Sequence, residues 1–287
     1  MSELREPIAA DALPESSDHR IVLFGAPGTG KTAQILTLPR PTFVYAFEAS
    51  ALATLRGAKD VHVVPFFPRN PSDANSVLAR SIQKGGRREF DFLSGAETPN
   101  PEYGHLYLEF ARDLTLRLEQ NWWQKEGFHT LALDGLSTLS RHILSRVGFL
   151  QEKVKADDRR TDYMQAGNVT GEVFSYLSTQ TPIFVLGLHV GQTMDERTGR
   201  PLKRLELPGS ARNRLPTIST VCWRTMLAKD DSKTPAQTRF CAQTFPDRDY
   251  EFIRPGPFNA PDVVDLTIED WSHPELFGLG KMIAAQK

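Results

Sequence analysis

Eight consecutive residues, Gly25, Ala26, Pro27, Gly28, Thr29, Gly30, Lys31 and Thr32, carry the clearest chemistry in the sequence. They match G-x-x-x-x-G-K-[ST] in full, the pattern of a loop whose backbone N–H groups cradle nucleotide phosphates. The glycines let the chain turn tightly enough for those N–H groups to point inward at phosphate oxygens. Lys31 can reach the β- and γ-phosphates, Thr32 offers its hydroxyl to Mg²⁺, and the helix that starts here adds its positive end. ATP and Mg²⁺ are therefore the expected cofactors.

Such a loop needs an acid behind the metal, normally at the end of a neighbouring apolar strand. Asp134, closing LALD (131–134), fits, with a helix N-cap as the alternative role. The next residue is Gly135, so no base directly follows the metal acid. Glu48 ends the strand that follows the phosphate-loop helix. In a doubly wound sheet such strand ends open toward one ligand face, where a carboxylate can orient water for in-line attack on a γ-phosphate. Its alternative is an ordinary cap for the helix beginning near Ala51. His189 ends IFVLGLH (183–189) and is expected either to sense the γ-phosphate or simply to close its strand.

The elements that must position these groups can be read from periodicity and turn residues. Arg20–Phe24, Thr42–Phe47, Val61–Phe66, His129–Asp134 and Ile183–Leu188 read as strands. Helices are expected over Lys31–Leu38, stopped by Pro39 and Pro41, and over Tyr103–Lys125, Leu136–Leu150 and Tyr163–Gln180. This alternation predicts an α/β fold, a mostly parallel central sheet with helices on both faces. Ser219–Leu227 and Thr238–Thr244 suggest antiparallel strands, a β-rich C-terminal extension on one side of the sheet. Residues 1–18 read as a flexible lead and 19–255 as the core. The proline-rich stretch 68–101, with a basic helix candidate at Asn75–Lys84, reads as an insertion. Lys153–Arg160 reads as a charged connector, and 256–287 as an acidic tail with a short helix.

The 287 residues are 40% hydrophobic and 24% charged, which excludes wholesale disorder and low-complexity structure. No stretch is apolar enough for a spanning helix, the N-terminus lacks the plan of a signal peptide, and Cys222 and Cys241 form no disulfide framework. A cytoplasmic protein without a membrane partner is expected. The net charge of −1 conceals a strong asymmetry. Between Asp195 and Lys229, eight basic residues face three acids, a balance of +5, whereas Asp247 to Glu275 carries eight acids against two arginines, a balance of −6. The basic segment is either a surface for a polyanion or a solvated face.

Taken together, GAPGTGKT (25–32), FVYAFE (43–48), LALDGLSTL (131–139), Asp162-Tyr163 opening a helix, IFVLGLH (183–189) and ERTGRPLKRLELPGSARNRLP (196–216) resemble the RecA/RadA-type ATPases. The resemblance, over residues 19–230, is closest to the small phage-encoded Sak-type single-strand annealing proteins. It implies a RecA-like P-loop NTPase fold and a DNA-stimulated ATPase acting in recombination or single-strand annealing. It also implies a homo-oligomeric ring or filament in the host cytoplasm, and leaves room for a single-strand DNA-binding protein as partner. The loop after the sensor strand, His189–Pro216, would face single-stranded DNA, with Arg197, Arg200, Lys203, Arg204, Arg212 and Arg214 as phosphate contacts. Where such enzymes carry a Lys-x-Arg finger acting on the adjacent subunit, this chain has PDRDYEFIR (246–254), so Arg248 or Arg254 would take that part. A large separate DNA-binding domain is absent, which favours single-strand binding or annealing over unaided strand exchange. Two other classes stay open: a P-loop kinase for a small metabolite, for whose arginine lid Arg159-Arg160 could be mistaken, and a non-catalytic nucleotide-gated assembly subunit.

Overall fold

The first strand, β1 (His19–Phe24), divides its side chains between two cores: Val22 and Phe24 enter one, Ile21 and Leu23 the other, and all four are fully buried. A strand covered on both faces belongs in the middle of a layered sheet. The computed structural model describes residues 18–67, 101–150, 159–194, 199, 201–230 and 237–286. Around β1 it places β2 (Thr42–Ala46), β3 (Val61–Pro65), β4 (Thr130–Asp134), β5 (Ile183–Leu188), β8 (Val221–Asp230), β9 (Gln237–Gln243) and β10 (Val263–Asp265). The eight strands run in the order β10-β9-β8-β1-β5-β4-β2-β3. From β8 through β3 every pairing is parallel, and only β8–β9 and β9–β10 are antiparallel. The chain is thus an α/β protein with a mostly parallel central sheet.

Helices cover both faces, as the alternation predicts. One core takes α3 (Pro101–Glu119) through Phe110 and Leu114, and α5 (Leu136–Leu150) through Leu139 and Ile143. The same core takes α6 (Arg159–Leu177) through Phe174, and α7 (Ala211–Ile218) through Leu215. The opposite core takes α1 (Lys31–Ile35), α2 (Ala49–Leu55) and α8 (Gly278–Ala284). Burying each large apolar side chain contributes about 1.5–3 kcal/mol, which fixes the helices against the sheet.

Four expectations need correction or limits. The single helix expected over Tyr103–Lys125 is two, because Asn121 adopts the left-handed conformation (φ 49) and breaks it before α4 (Trp122–Lys125). The break lets Trp123 bury completely against Phe43. The expected loop His189–Pro216 is largely ordered as a separate antiparallel hairpin, β6 (Val190–Met194) with β7 (Pro201–Leu205), followed by α7. The C-terminal segment is built into the core rather than hanging from it. Leu266, Leu279 and Ile283 are buried, β10 extends the sheet, and the Gln34 side chain of α1 donates to Leu266 O (2.8 Å) and accepts from the Leu279 N–H (3.1 Å). The C-terminal chain thereby buttresses the helix that follows the phosphate-binding motif. The lead 1–17, almost all of the insertion at 68–101 and the connector between α5 and α6 lie outside the described residues.

Candidate functional site

The register of the sheet brings the chemistry-bearing strand ends to one edge. Phe24 pairs with Leu188, Asp134 with Gly187, and Ala46 with Asp134. Gly25, His189, Asp134 and Glu48 therefore cluster, because each lies at or just beyond the end of a parallel strand. Strand β5 stands between the phosphate-loop strand and the strand of the acid, which puts His189 in the middle of the group.

The loop 25–32 closes tightly around its lysine. Gly28 and Gly30 take positive φ angles of 76 and 88, where a side chain would be strained. The nearly buried Lys31 ammonium donates to the carbonyls of Gly25 (3.0 Å) and Ala26 (2.8 Å), and burial lowers its pKa. Thr29 donates to Ala26 O (2.8 Å) and meets the Thr225 hydroxyl at 2.7 Å, tying the loop to β8. Pro27 is exposed at its tip.

Thr32 donates its hydroxyl to Asp134 Oδ2 at 2.7 Å. The Asp134 carboxyl is 5% exposed, and burial raises its pKa against the opposing pull of the Thr32 hydrogen bond. The room for it comes from Gly187, where a Cβ would stand 2.7 Å from Asp134 Oδ1. A desolvated carboxylate beside a hydroxyl is a hard-oxygen pair that suits Mg²⁺, a cation that keeps waters and phosphate oxygens as its other ligands. Among the described residues no group of three or more His, Cys, Asp or Glu side chains could hold a metal.

Glu48 stands at the N-cap position of α2, yet its side chain makes no capping bond. Instead Oε1 accepts from the Thr138 hydroxyl and lies beside His189 Nε2, each at 3.0 Å. Gly135, with φ 95, is what admits it, since a Cβ there would lie 3.0 Å from Glu48 Cγ. The glycine after Asp134 thus makes space for a carboxylate that arrives from the neighbouring strand.

His189 has acceptors at both ring nitrogens, Glu48 at Nε2 and the Gly25 carbonyl 3.4 Å from Nδ1. The doubly protonated imidazolium satisfies both. The hydrogen bond to Glu48 raises the His189 pKa, and the same bond is the largest cause holding Glu48 below the usual carboxylate range. The His189 backbone is tied as well: its N–H donates to Ser137 Oγ (2.9 Å) and its carbonyl accepts from the Glu206 N–H (3.0 Å).

The expected DNA contacts separate. Lys203 and Arg204 are neighbours on β7, and Lys203 donates to Gln192 Oε1 across the hairpin. Arg204 and Arg212 line one cavity, whereas the Arg214 guanidinium lies over Gly171 of α6. Arg197 and Arg200 lie outside the described residues. Neither finger candidate is part of the cluster around Lys31. Arg254 pairs with Cys222 near the start of β8 and its side chain donates to Thr217 O (3.3 Å), while Arg248 is exposed beyond the end of β9. Both cysteines are buried and free.

Sequence reasoning missed Thr138 and Thr225. Thr138 follows the acid by four residues, and a hydroxyl one turn into a helix at a strand end was the available signal. Thr225 reaches the loop from nearly 200 residues away and leaves no local trace. No protein-family model matches the chain, and no curated protein matches it in sequence. No described helix is long and apolar enough to cross a membrane.

Proposed function

We propose that this protein binds and hydrolyses ATP and couples that cycle to single-stranded DNA, as a RecA-like recombination or annealing factor working as a homo-oligomer. The observation that carries the reading is the contact between Thr32 and Asp134 inside a complete phosphate-loop motif, with Glu48 held over the same edge. Phosphate oxygens would replace the Gly25 and Ala26 carbonyls as acceptors for Lys31. Thr32 and Asp134 would hold Mg²⁺, which supplies charge neutralisation at the β- and γ-oxygens. Glu48 takes a proton from the attacking water as its oxygen bonds the γ-phosphorus and the bond to the β–γ bridging oxygen breaks. The basic segment 203–214 supplies the charge for a polyanion, with modest sequence preference and strong salt dependence. Steady-state ATP hydrolysis with and without single-stranded DNA tests the reading as a whole.

The pairing of Glu48 with His189 gives a signed pH dependence. His189 is raised above its ordinary value near 6.5, so the imidazolium engages Glu48 fully below that pH and releases it as pH climbs through the raised value. Glu48, depressed, stays ionised throughout this range. The kcat of hydrolysis should therefore rise with pH through a step above 6.5. In His189→Gln that step should disappear from the pH–rate profile. An identical step in the variant would assign the titration to another group.

A further inference from the structure

Three arginines converge on a cavity that the phosphate loop does not line. The cavity, of about 510 Å³, lies between α5, the start of α6, the β6–β7 hairpin and the turn before α7. Its walls include Ser137, Arg141, Tyr163, Arg204, Glu206 and Arg212, so among the described residues three cations and one carboxylate line it. Like charges are gathered here at a cost. Arg212 donates one N–H to Leu207 O (3.0 Å), but its Nε–H is buried with no hydrogen-bond partner among the described residues. Burial, and then the charge of Arg204, lower the Arg212 pKa. Arg141 is held by an ion pair to Glu206. A buried, unmatched guanidinium donor beside a second guanidinium is a site that calls for an anion with several acceptor oxygens.

We propose that this cavity is a phosphate site separate from the loop 25–32, with Arg141, Arg204 and Arg212 as its ligands and Glu206 as the internal counter-ion that an incoming phosphate displaces. A phosphodiester of single-stranded DNA is the source that fits the function proposed above, on which this inference rests. Free phosphate offers the same chemistry. The site is also wired to the nucleotide edge. Ser137 and Glu206 hold the backbone N–H and C=O of His189, whose ring holds Glu48. Displacing the Glu206 carboxylate from Arg141 perturbs the residue bonded to the His189 carbonyl, so occupancy of the cavity is felt one residue away from Glu48. By linkage, the state of the nucleotide edge must change affinity in the cavity by the same factor.

The test is anisotropy titration of a short fluorescein-labelled oligothymidylate against the full chain across a salt series. Arg141 and Glu206 are the residues to change, because their side chains are 48% and 36% exposed and their loss spares the core, which a thermal melt verifies. Arg141→Gln should weaken binding about tenfold and lower the log–log salt slope by about 0.7, the signature of one lost single-strand phosphate contact. Glu206→Gln should tighten binding about threefold by removing the carboxylate that competes with phosphate in the cavity. Wild-type affinity and slope in both variants would overturn the cavity site and leave the DNA reading standing. If oligothymidylate fails to bind even the wild-type protein, the DNA reading falls. The cavity is then judged with sodium phosphate in a Lys31→Ala background. A rise in melting temperature that Arg141→Gln abolishes would support it, and no rise, or one that Arg141→Gln leaves intact, would overturn it.

Discussion

Replacing Lys31 by alanine should weaken ATP binding by at least about 100-fold, measured by calorimetric titration. The size follows from what the ammonium does. It is nearly buried, donates to two loop carbonyls at 3.0 and 2.8 Å, and its charge favours the ionised forms of Glu48 and Asp134. Charge-assisted hydrogen bonds of this kind contribute about 1.5–3 kcal/mol each, so losing two to phosphate oxygens removes about 3–6 kcal/mol. Alanine also takes a positive charge away from Glu48 and Asp134, on the edge proposed to receive a polyphosphate. A melt separates this from unfolding, since α1 remains anchored through Gln34 and Thr37 to the C-terminal segment. Wild-type ATP affinity in Lys31→Ala would show that the loop binds no phosphate.

Glu48→Gln should behave in the opposite way: ATP bound, turnover reduced about 10²–10⁴-fold, the range expected for loss of a positioned general base. The amide oxygen can still accept from Thr138, and the side chain still fits the space that Gly135 leaves. What it cannot do is take a proton from water. The substitution also removes the anion that raises the His189 pKa, so the imidazole should titrate closer to its ordinary value, a change visible by NMR. Single-turnover hydrolysis at the wild-type rate would take the base assignment away from Glu48.

How much of this was legible in the sequence depends on how local each feature is. The loop 25–32 is contiguous, and its glycines, lysine and threonine lie within a few residues of one another, so spacing alone marks it as a candidate phosphate loop. Asp134 and Glu48 were legible because both close apolar strands, and parallel strands end at a common edge. Their alternative reading as helix caps could be settled only by side-chain partners. Glu48 sits at a cap position but bonds to Thr138 and His189, each at least 90 residues away. The same distance in sequence hides the part played by Gly187, whose missing side chain accommodates Asp134 from the neighbouring strand. The hairpin 190–205 was hidden for a different reason. Its strands are five residues each, interrupted by Gly191 and Gln192 in one and by Lys203 and Arg204 in the other, and they form a sheet of their own rather than joining the apolar one. The acidic C-terminal segment looked detachable because its charges dominate its composition. Five buried apolar residues (Phe258, Leu266, Ile268, Leu279 and Ile283) and the Gln34 contacts hold it in place instead.

The proposed function joins the loop 25–32 to a polyanion bound about the basic segment 203–214, and one measurement reaches that coupling directly. It is steady-state ATP hydrolysis by the full chain with Mg²⁺, with and without single-stranded DNA, with Lys31→Ala as the blank. The proposed function predicts turnover that the blank lacks and that single-stranded DNA stimulates. Turnover indifferent to DNA would contradict the coupling and point to phosphoryl transfer onto a small acceptor, and tight ATP binding without any turnover would contradict catalysis and leave a nucleotide-gated assembly subunit.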